Sequence, residues 1–223
     1  VKAMTAAEID FLSRHYGLSY DEVIEKMLEY GVDSMPGGGA EIFDEEVRAK
    51  ICKGKVSSEN WLKIHKMWHD KGRQSNATML FGHIESRENR IDHMLRIRDL
   101  QDETGGFNAF IPLVYQRENN YLKDVKFLGS AEILKTMAIS RLVLDNVPHI
   151  KAYWATSTLN LAMIAQEFGA DDLDGTIEKE SIQSAAGANS ANGVTLKTFC
   201  DLIKTSGFTP VERDSLYNEL KNY

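Results

Sequence analysis

The sequence predicts an α/β protein built as a partial (β/α) TIM-type barrel of about six β/α units with C-terminal helices. Three observations predict it. Short β-prone segments recur near residues 1, 33, 77, 110, 150 and 175. A polar or glycine-containing turn and an amphipathic helical pattern follow each of them. The clearest unit spans residues 75–90, where the apolar run 77–81 breaks at Gly82 and a helical pattern begins near Ser86. A complete barrel has about eight such units in about 250 residues, so two more are expected ahead of Val1.

Composition narrows the class. With 223 residues, 43% of them hydrophobic and 26% charged, the chain can bury a sizeable core. No apolar run approaches the roughly 20 residues that a membrane span needs, and a cytoplasmic location is expected. A net charge of -7 disfavours a general nucleic-acid surface, so the expected partner is a small molecule. Cys52 and Cys200 lie far apart and read as reduced, packed thiols rather than as a disulfide or thiolate metal site. Residues 1–180 are expected to form the barrel and residues 181–223 a helical extension of the same domain.

In chain order, residues 1–4 read as the end of a strand. Thr5 caps a helix through Arg14, and Ser19 with Glu22 forms a capping box for a helix over 20–30 that ends at Gly31. A strand over 32–35 leads into Pro36, Gly37, Gly38 and Gly39, which cannot continue a helix. Backbone freedom there suits either a tight turn or an approach of a ligand's anionic group to the main chain, and Glu41 just beyond suits an ammonium or hydroxyl. The helix over 58–71 carries His65 and His69 one turn apart. Without a neighbouring catalytic glutamate, and with lysines beside them, they read as surface histidines rather than metal ligands.

The helix behind the 77–81 strand ends at Gly105 and Gly106. Asp102 and Glu103 near that end read as structural, because helix C-termini lie on the stability face of a barrel. A strand over 109–115 follows. The helix over 129–146 is expected to bury Ile133, Leu134, Met137, Ala138 and Leu142, with Arg141 beside them needing a carboxylate. In the strand 149–154, alternation sets His149, Lys151 and Tyr153 on one side; Lys151 is the one candidate for imine chemistry. A helix over 159–168 closes at Gly169, the acidic segment 171–176 reads as a strand and polar turn, and helices are expected over 181–188, 195–206 and 211–220.

Six segments then carry a resemblance: SMPGGGAEIF (34–43), SNATMLFGHIE (75–85), LQDETGGF (100–107), FIP (110–112), HIKAYW (149–154) and FGADDLDGT (168–176). Together they resemble the aminofutalosine synthases, radical S-adenosylmethionine (SAM) enzymes of the futalosine route to menaquinone, almost end to end. Within them, residues 78–85 read T-x-L-x-G-x-x-E, similar to the G-x-I-x-G-x-x-E strand of radical SAM enzymes. The cyclic dehypoxanthine futalosine cyclases of the same pathway share several of these motifs, while the SNATML, KAYW and DDLDGT wording favours the synthases.

The resemblance implies a barrel of the radical SAM kind, a 4Fe-4S cluster, and SAM as co-substrate. Its adenosyl group would add to 3-[(1-carboxyvinyl)oxy]benzoate. It assigns SAM contacts to Glu41, Lys55, Thr78, Gly82 and Glu85, with Arg48 as an alternative to Lys55 where related enzymes have an Arg at the position of Trp61. Substrate contacts fall to Gly37, Gly38, Gly39, Asn76, His83 and Tyr153. No catalytic residue and no metal ligand is assigned. The C-x-x-x-C-x-x-C loop that ligates the superfamily's cluster does not occur in these residues; the resemblance places it upstream of Val1, and these residues alone are expected to be inactive. The alternatives are the cyclase reaction, a cluster-less barrel lyase using Lys151, or a binding protein.

Overall fold

In a computed structural model, residues 1–122, 124–177, 185–186 and 193–223 are described. Helices α1 (Ala6–Tyr16) and α2 (Tyr20–Glu29) open the chain. Both start at the expected caps: Thr5 pairs with Glu8 and Ser19 with Glu22, each pair forming a complete capping box. Such a cap stabilises a helix by about 1 kcal/mol. Strand β1 (Ser34–Met35) follows, with Lys2 bridging to Ser34 in parallel, which is the strand tail read at residues 1–4.

Helix α3 (Glu45–Ile51) was not expected from the sequence, although its signals are present. Asp44 accepts from the Val47 amide, Glu45 and Glu46 sit in the first turn, and Arg48 and Lys50 sit in the last. Next come α4 (Ser58–Asp70), β2 (Gln74–Phe81), α5 (Arg87–Thr104), β3 (Phe107–Val114) and α6 (Ser130–Val143). Then β4 (His149–Ala152), α7 (Trp154–Ser157), α8 (Leu159–Ala165), a 3-10 turn (Gln166–Phe168) and β5 (Asp172–Leu173) complete the repeating pattern. The five strands form a sheet in the order β1-β2-β3-β4-β5, parallel at β1/β2 and at β4/β5. Sequential order in a parallel sheet with helical crossovers is the β/α-barrel pattern.

Two compact units divide the chain. The first comprises Val1–Leu80, Glu85–Phe110 and Val143–Pro148; the second comprises Phe81–Ile84, Ile111–Leu142 and His149–Tyr223. The core of the first is aromatic: Phe43, Trp61, Trp68 and Phe107 are all at most 1% exposed, with Trp61 tilted 5.3 Å from Phe43. In the second, Trp154, Ile150, Ala152 and Ala162 are buried, and the Trp154 indole donates to the Gly175 carbonyl at 2.9 Å.

Three expectations are corrected. Residues 211–220 do not form a helix: β6 (Val211–Arg213) and β7 (Glu219–Asn222) make an antiparallel hairpin after α9 (Leu196–Thr205). Asp214 closes its turn by accepting from the Leu216 and Asn218 amides, and Tyr217 takes a positive φ of 66°. An aspartate that binds backbone two residues on competes directly with a helix. On α6 the buried residues are Ile133, Thr136, Met137 and Ser140, whereas Leu142 is 76% exposed. His65 and His69 are not surface residues; they are 0% and 7% exposed. The helix expected over 181–188 lies, apart from 185 and 186, outside the described residues.

Candidate functional site

In the first unit the candidate residues gather where β1 and β2 meet. Gly37, Gly38 and Gly39 follow β1, and a Cβ on any of them would collide with the chain itself. At Gly37 it would lie 2.7 Å from the Asn76 carbonyl oxygen, at Gly38 2.8 Å from the Thr5 methyl, and at Gly39 2.9 Å from Ala7 Cβ. The glycines therefore let the turn lie flat against β2 and α1. The turn's carbonyls are all engaged. Thr78 donates its hydroxyl to Gly37 at 2.7 Å, and the Trp61 indole donates to Gly38 at 3.3 Å. Arg48, 4% exposed, donates to Gly39 at 3.1 Å, to Ile42 at 3.0 Å, and to the carbonyls of Ala40 and Val56. Four peptide oxygens and the Glu45 carboxylate, 3.9 Å from Nε, surround its charge, which explains how a buried guanidinium is tolerated there.

Glu41 holds a positive φ of 47°, rare for a residue with a side chain, and its carboxylate pairs with Lys55 at 2.8 Å. The two SAM candidates Glu41 and Lys55 are therefore brought together. Glu85 is different: its side chain is fully buried and paired with Arg90 at 2.7 Å, so this carboxylate props the turn between β2 and α5. Asn76, 2% exposed, donates to Asn108 at 2.5 Å, and Asn108 Nδ2 is buried with no described partner. Asn108 went unnoticed in the sequence because the neighbouring Gly105, Gly106 and Phe107 dominated the reading of that turn.

Three histidines of this unit are buried for structural reasons. Ser75 Oγ lies 2.8 Å from His65 Nδ1 and 2.7 Å from His69 Nε2, and Thr104 meets His69 Nδ1 at 2.8 Å. Burial depresses His69 to about 4 and His93 to about 3, and takes His65 well below its usual value. The one-turn spacing places both rings on the Ser75 hydroxyl. Among the described residues no group of three metal-capable side chains occurs, and Cys52 and Cys200 are free.

In the second unit, Gly82 has a φ of +90°, and an added Cβ would meet Leu128 at 3.0 Å. The His83 ring sits edge-on to Tyr115 at 5.8 Å. Tyr153 follows β4 at the N-cap of α7, its carbonyl accepting from the Thr156 and Ser157 hydroxyls. The Lys151 ammonium lies 2.8 Å from Asp174 and 3.3 Å from Asp172. Lys151 is thus held between two carboxylates. Asp172 also accepts from both terminal and bridging nitrogens of Arg213 and from the Tyr217 hydroxyl at 2.6 Å. Burial raises the Asp174 carboxyl, with Lys151 opposing, and its Oδ2 has no described partner. Arg141 finds the carboxylate it needed in Asp171, at 2.8 Å.

Comparison with known proteins gives the family. Residues 104–222 match the family described as the CofH/MqnC C-terminal region, and residues 6–97 match the radical SAM superfamily. The chain is 50% identical to the aminodeoxyfutalosine synthase of Thermus thermophilus, over 99% of this chain and 60% of that protein. It is 42% identical to the aminodeoxyfutalosine synthase of Streptomyces coelicolor, over 100% of this chain and 60% of that protein. The cyclic dehypoxanthine futalosine synthase of the same organism is 38% identical, over 99% and 55%. The chain thus spans about three fifths of the length of these relatives. Among solved structures, methylornithine synthase superposes with a TM-score of 0.70 at 14% identity, over 93% of this chain and 63% of that one. The hydrogenase maturase HydG from Carboxydothermus hydrogenoformans gives 0.65 at 13%, over 88% and 47%. At those identities the likeness concerns the fold, and it agrees with the β/α-barrel pattern. The chain belongs to the CofH/MqnC family, carrying that family's C-terminal region behind a segment that matches the radical SAM superfamily.

Proposed function

We propose that this chain serves aminofutalosine synthesis: transfer of the adenosyl group of SAM to 3-[(1-carboxyvinyl)oxy]benzoate, in the cytoplasm. The observation that carries the reading is 50% identity to an aminodeoxyfutalosine synthase across 99% of the chain, against 38% for the cyclic dehypoxanthine futalosine synthase.

The described residues do not fit a 4Fe-4S cluster. Two separated cysteines cannot replace three closely spaced thiolates. They do fit SAM, which supplies the adenosyl group when bound. The Glu41 and Lys55 pair offers an acceptor and a donor for the polar methionine end. Thr78 and the turn it anchors hold the surface beside them, with Gly82 and the Glu85 prop shaping the following turn. In the first unit, Asn76 and the glycine turn are the substrate contacts of this reading; in the second, His83 offers a donor and Tyr153 an aromatic ring, as an acidic aromatic substrate requires.

The fate of the adenosyl group tests this. Full-length protein given SAM and the benzoate should yield product containing the adenosyl carbons. Free 5'-deoxyadenosine formed in step with cyclisation of dehypoxanthine futalosine would transfer the assignment to the cyclase reaction.

A further inference from the structure

The strands of the first unit turn a row of polar side chains to one face of their sheet. On the opposite face the Ser75 hydroxyl meets His65 and His69 of α4, and Phe107 packs edge-on against His69. Side chains alternate along a strand, so Asn76, Thr78 and Asn108 face away from that helix. Ser34, whose parallel partner is Gln74, joins them. In a β/α barrel that face is the interior, which branched apolar side chains ordinarily fill. Here the apolar residues lie on the helix side, where Met35, Ala77, Met79 and Phe107 are buried, and the inward positions are polar.

Asn76 and Asn108 form a directed pair within that row. Asn76 Nδ2 donates to Asn108 Oδ1 at 2.5 Å, which turns the Asn108 amide nitrogen away from its partner. That nitrogen is buried and meets no acceptor among the described residues, and the buried Ser34 hydroxyl on the same face likewise has no described partner. Leaving a buried donor without an acceptor is costly and rare. Both asparagines are buried, whereas Thr78 and Leu80, the next residues of β2 on that face, are half-buried. The face therefore opens toward the C-terminal end of the strand, the end at which barrels take their ligands.

We propose that Asn108 reads the substrate: at the deep end of this face its unspent amide donates to the ring carboxylate of the aromatic acid. An unspent N–H selects an acceptor, and the acceptors at the ring end of that acid are its carboxylate oxygens. The identity of the acid rests on the proposed function; the free donor and its direction do not.

The test is calorimetric binding to full-length protein, with S-adenosylhomocysteine in place of SAM so that nothing turns over. Two compounds are compared, 3-[(1-carboxyvinyl)oxy]benzoate and the corresponding benzamide. Asn108→Asp keeps the acceptor that Asn76 uses and the size of the side chain, but sets an oxygen where the free N–H stood. It should weaken the benzoate and favour the benzamide, whose N–H can donate to that oxygen, shifting the ratio of the two affinities about tenfold or more. A purely structural role would weaken both compounds alike. Should Asn108→Asp not fold, unaltered protein labelled with 15N at asparagine decides: the Asn108 side-chain amide protons should shift downfield, saturably, with the benzoate. An unchanged affinity ratio in folded Asn108→Asp, or an Asn108 amide that keeps its shift as the benzoate binds, would overturn the inference. Unaltered protein that binds neither compound would overturn it together with the proposed function. A failed adenosyl-transfer assay beside the expected ratio shift would overturn the reaction assignment alone.

Discussion

Lowering the pH from about 7.5 to about 5 should destabilise the first unit through its buried histidines, and the size can be worked out. His69 is depressed to about 4 and His93 to about 3 from an ordinary value near 6.5, both by burial. The unfolded chain therefore takes up protons below about pH 6.5 that the folded chain refuses, so stability is full above that value and falls as the pH drops toward 3 to 4. At about pH 5 each of these two residues removes roughly 2 kcal/mol, or about 4 kcal/mol together, and His65 acts in the same direction. That is a large share of a typical 5–15 kcal/mol stability. A carboxylate held low, such as Asp214, which accepts from Asn218, loses its contribution only further down, below about pH 4. Asp174, raised by burial, works in the opposite sense in the second unit. Urea unfolding followed by circular dichroism at the two pH values measures the slope. His69→Gln keeps a hydrogen-bonding side chain beside Ser75 and Thr104 but cannot ionise, and it should remove about 2 kcal/mol of the difference. A stability unchanged between the two pH values, or a slope untouched by His69→Gln, would refute the assignment of these rings as buried and neutral.

Three further outcomes are expected. Gly106→Ala should cost about 1–3 kcal/mol in urea unfolding, because its Cβ would fall 2.1 Å from the His69 ring, which is pinned on both sides by hydroxyls. Asp172→Asn should cost about 3–5 kcal/mol by leaving Arg213 and Lys151 short of a buried carboxylate, with faster amide exchange concentrated in β6 and β7; protection unchanged in that hairpin would count against it. In the full-length protein, Glu41→Gln should weaken SAM binding by about 1.5–3 kcal/mol, read by calorimetry, and unaltered affinity would remove Glu41 from the SAM contacts.

Local chemistry was legible in the sequence because it needs no distant partner. The caps at Thr5 and Ser19 stand where side-chain oxygens and backbone amides three residues on predict them. The alternation of strand, turn and helix gave the barrel class for the same reason, and the wording of six segments pointed to the family. Long-range contacts were not legible. His65 and His69 looked solvated beside their lysines, and only the packing of α4 on β2 puts both rings on Ser75. The segment 211–220 has enough apolar spacing to pass for a helix. Its hairpin depends on Asp172, some forty residues away, which accepts from Arg213 and Tyr217. The glycine turn divides the two kinds of information most clearly. Three glycines after a proline determined that the backbone there is special. Which way its peptides face depends on Arg48, Trp61, Thr78 and Leu80, and the direction of a dipole set by partners from three other elements is decided only when the chain has folded.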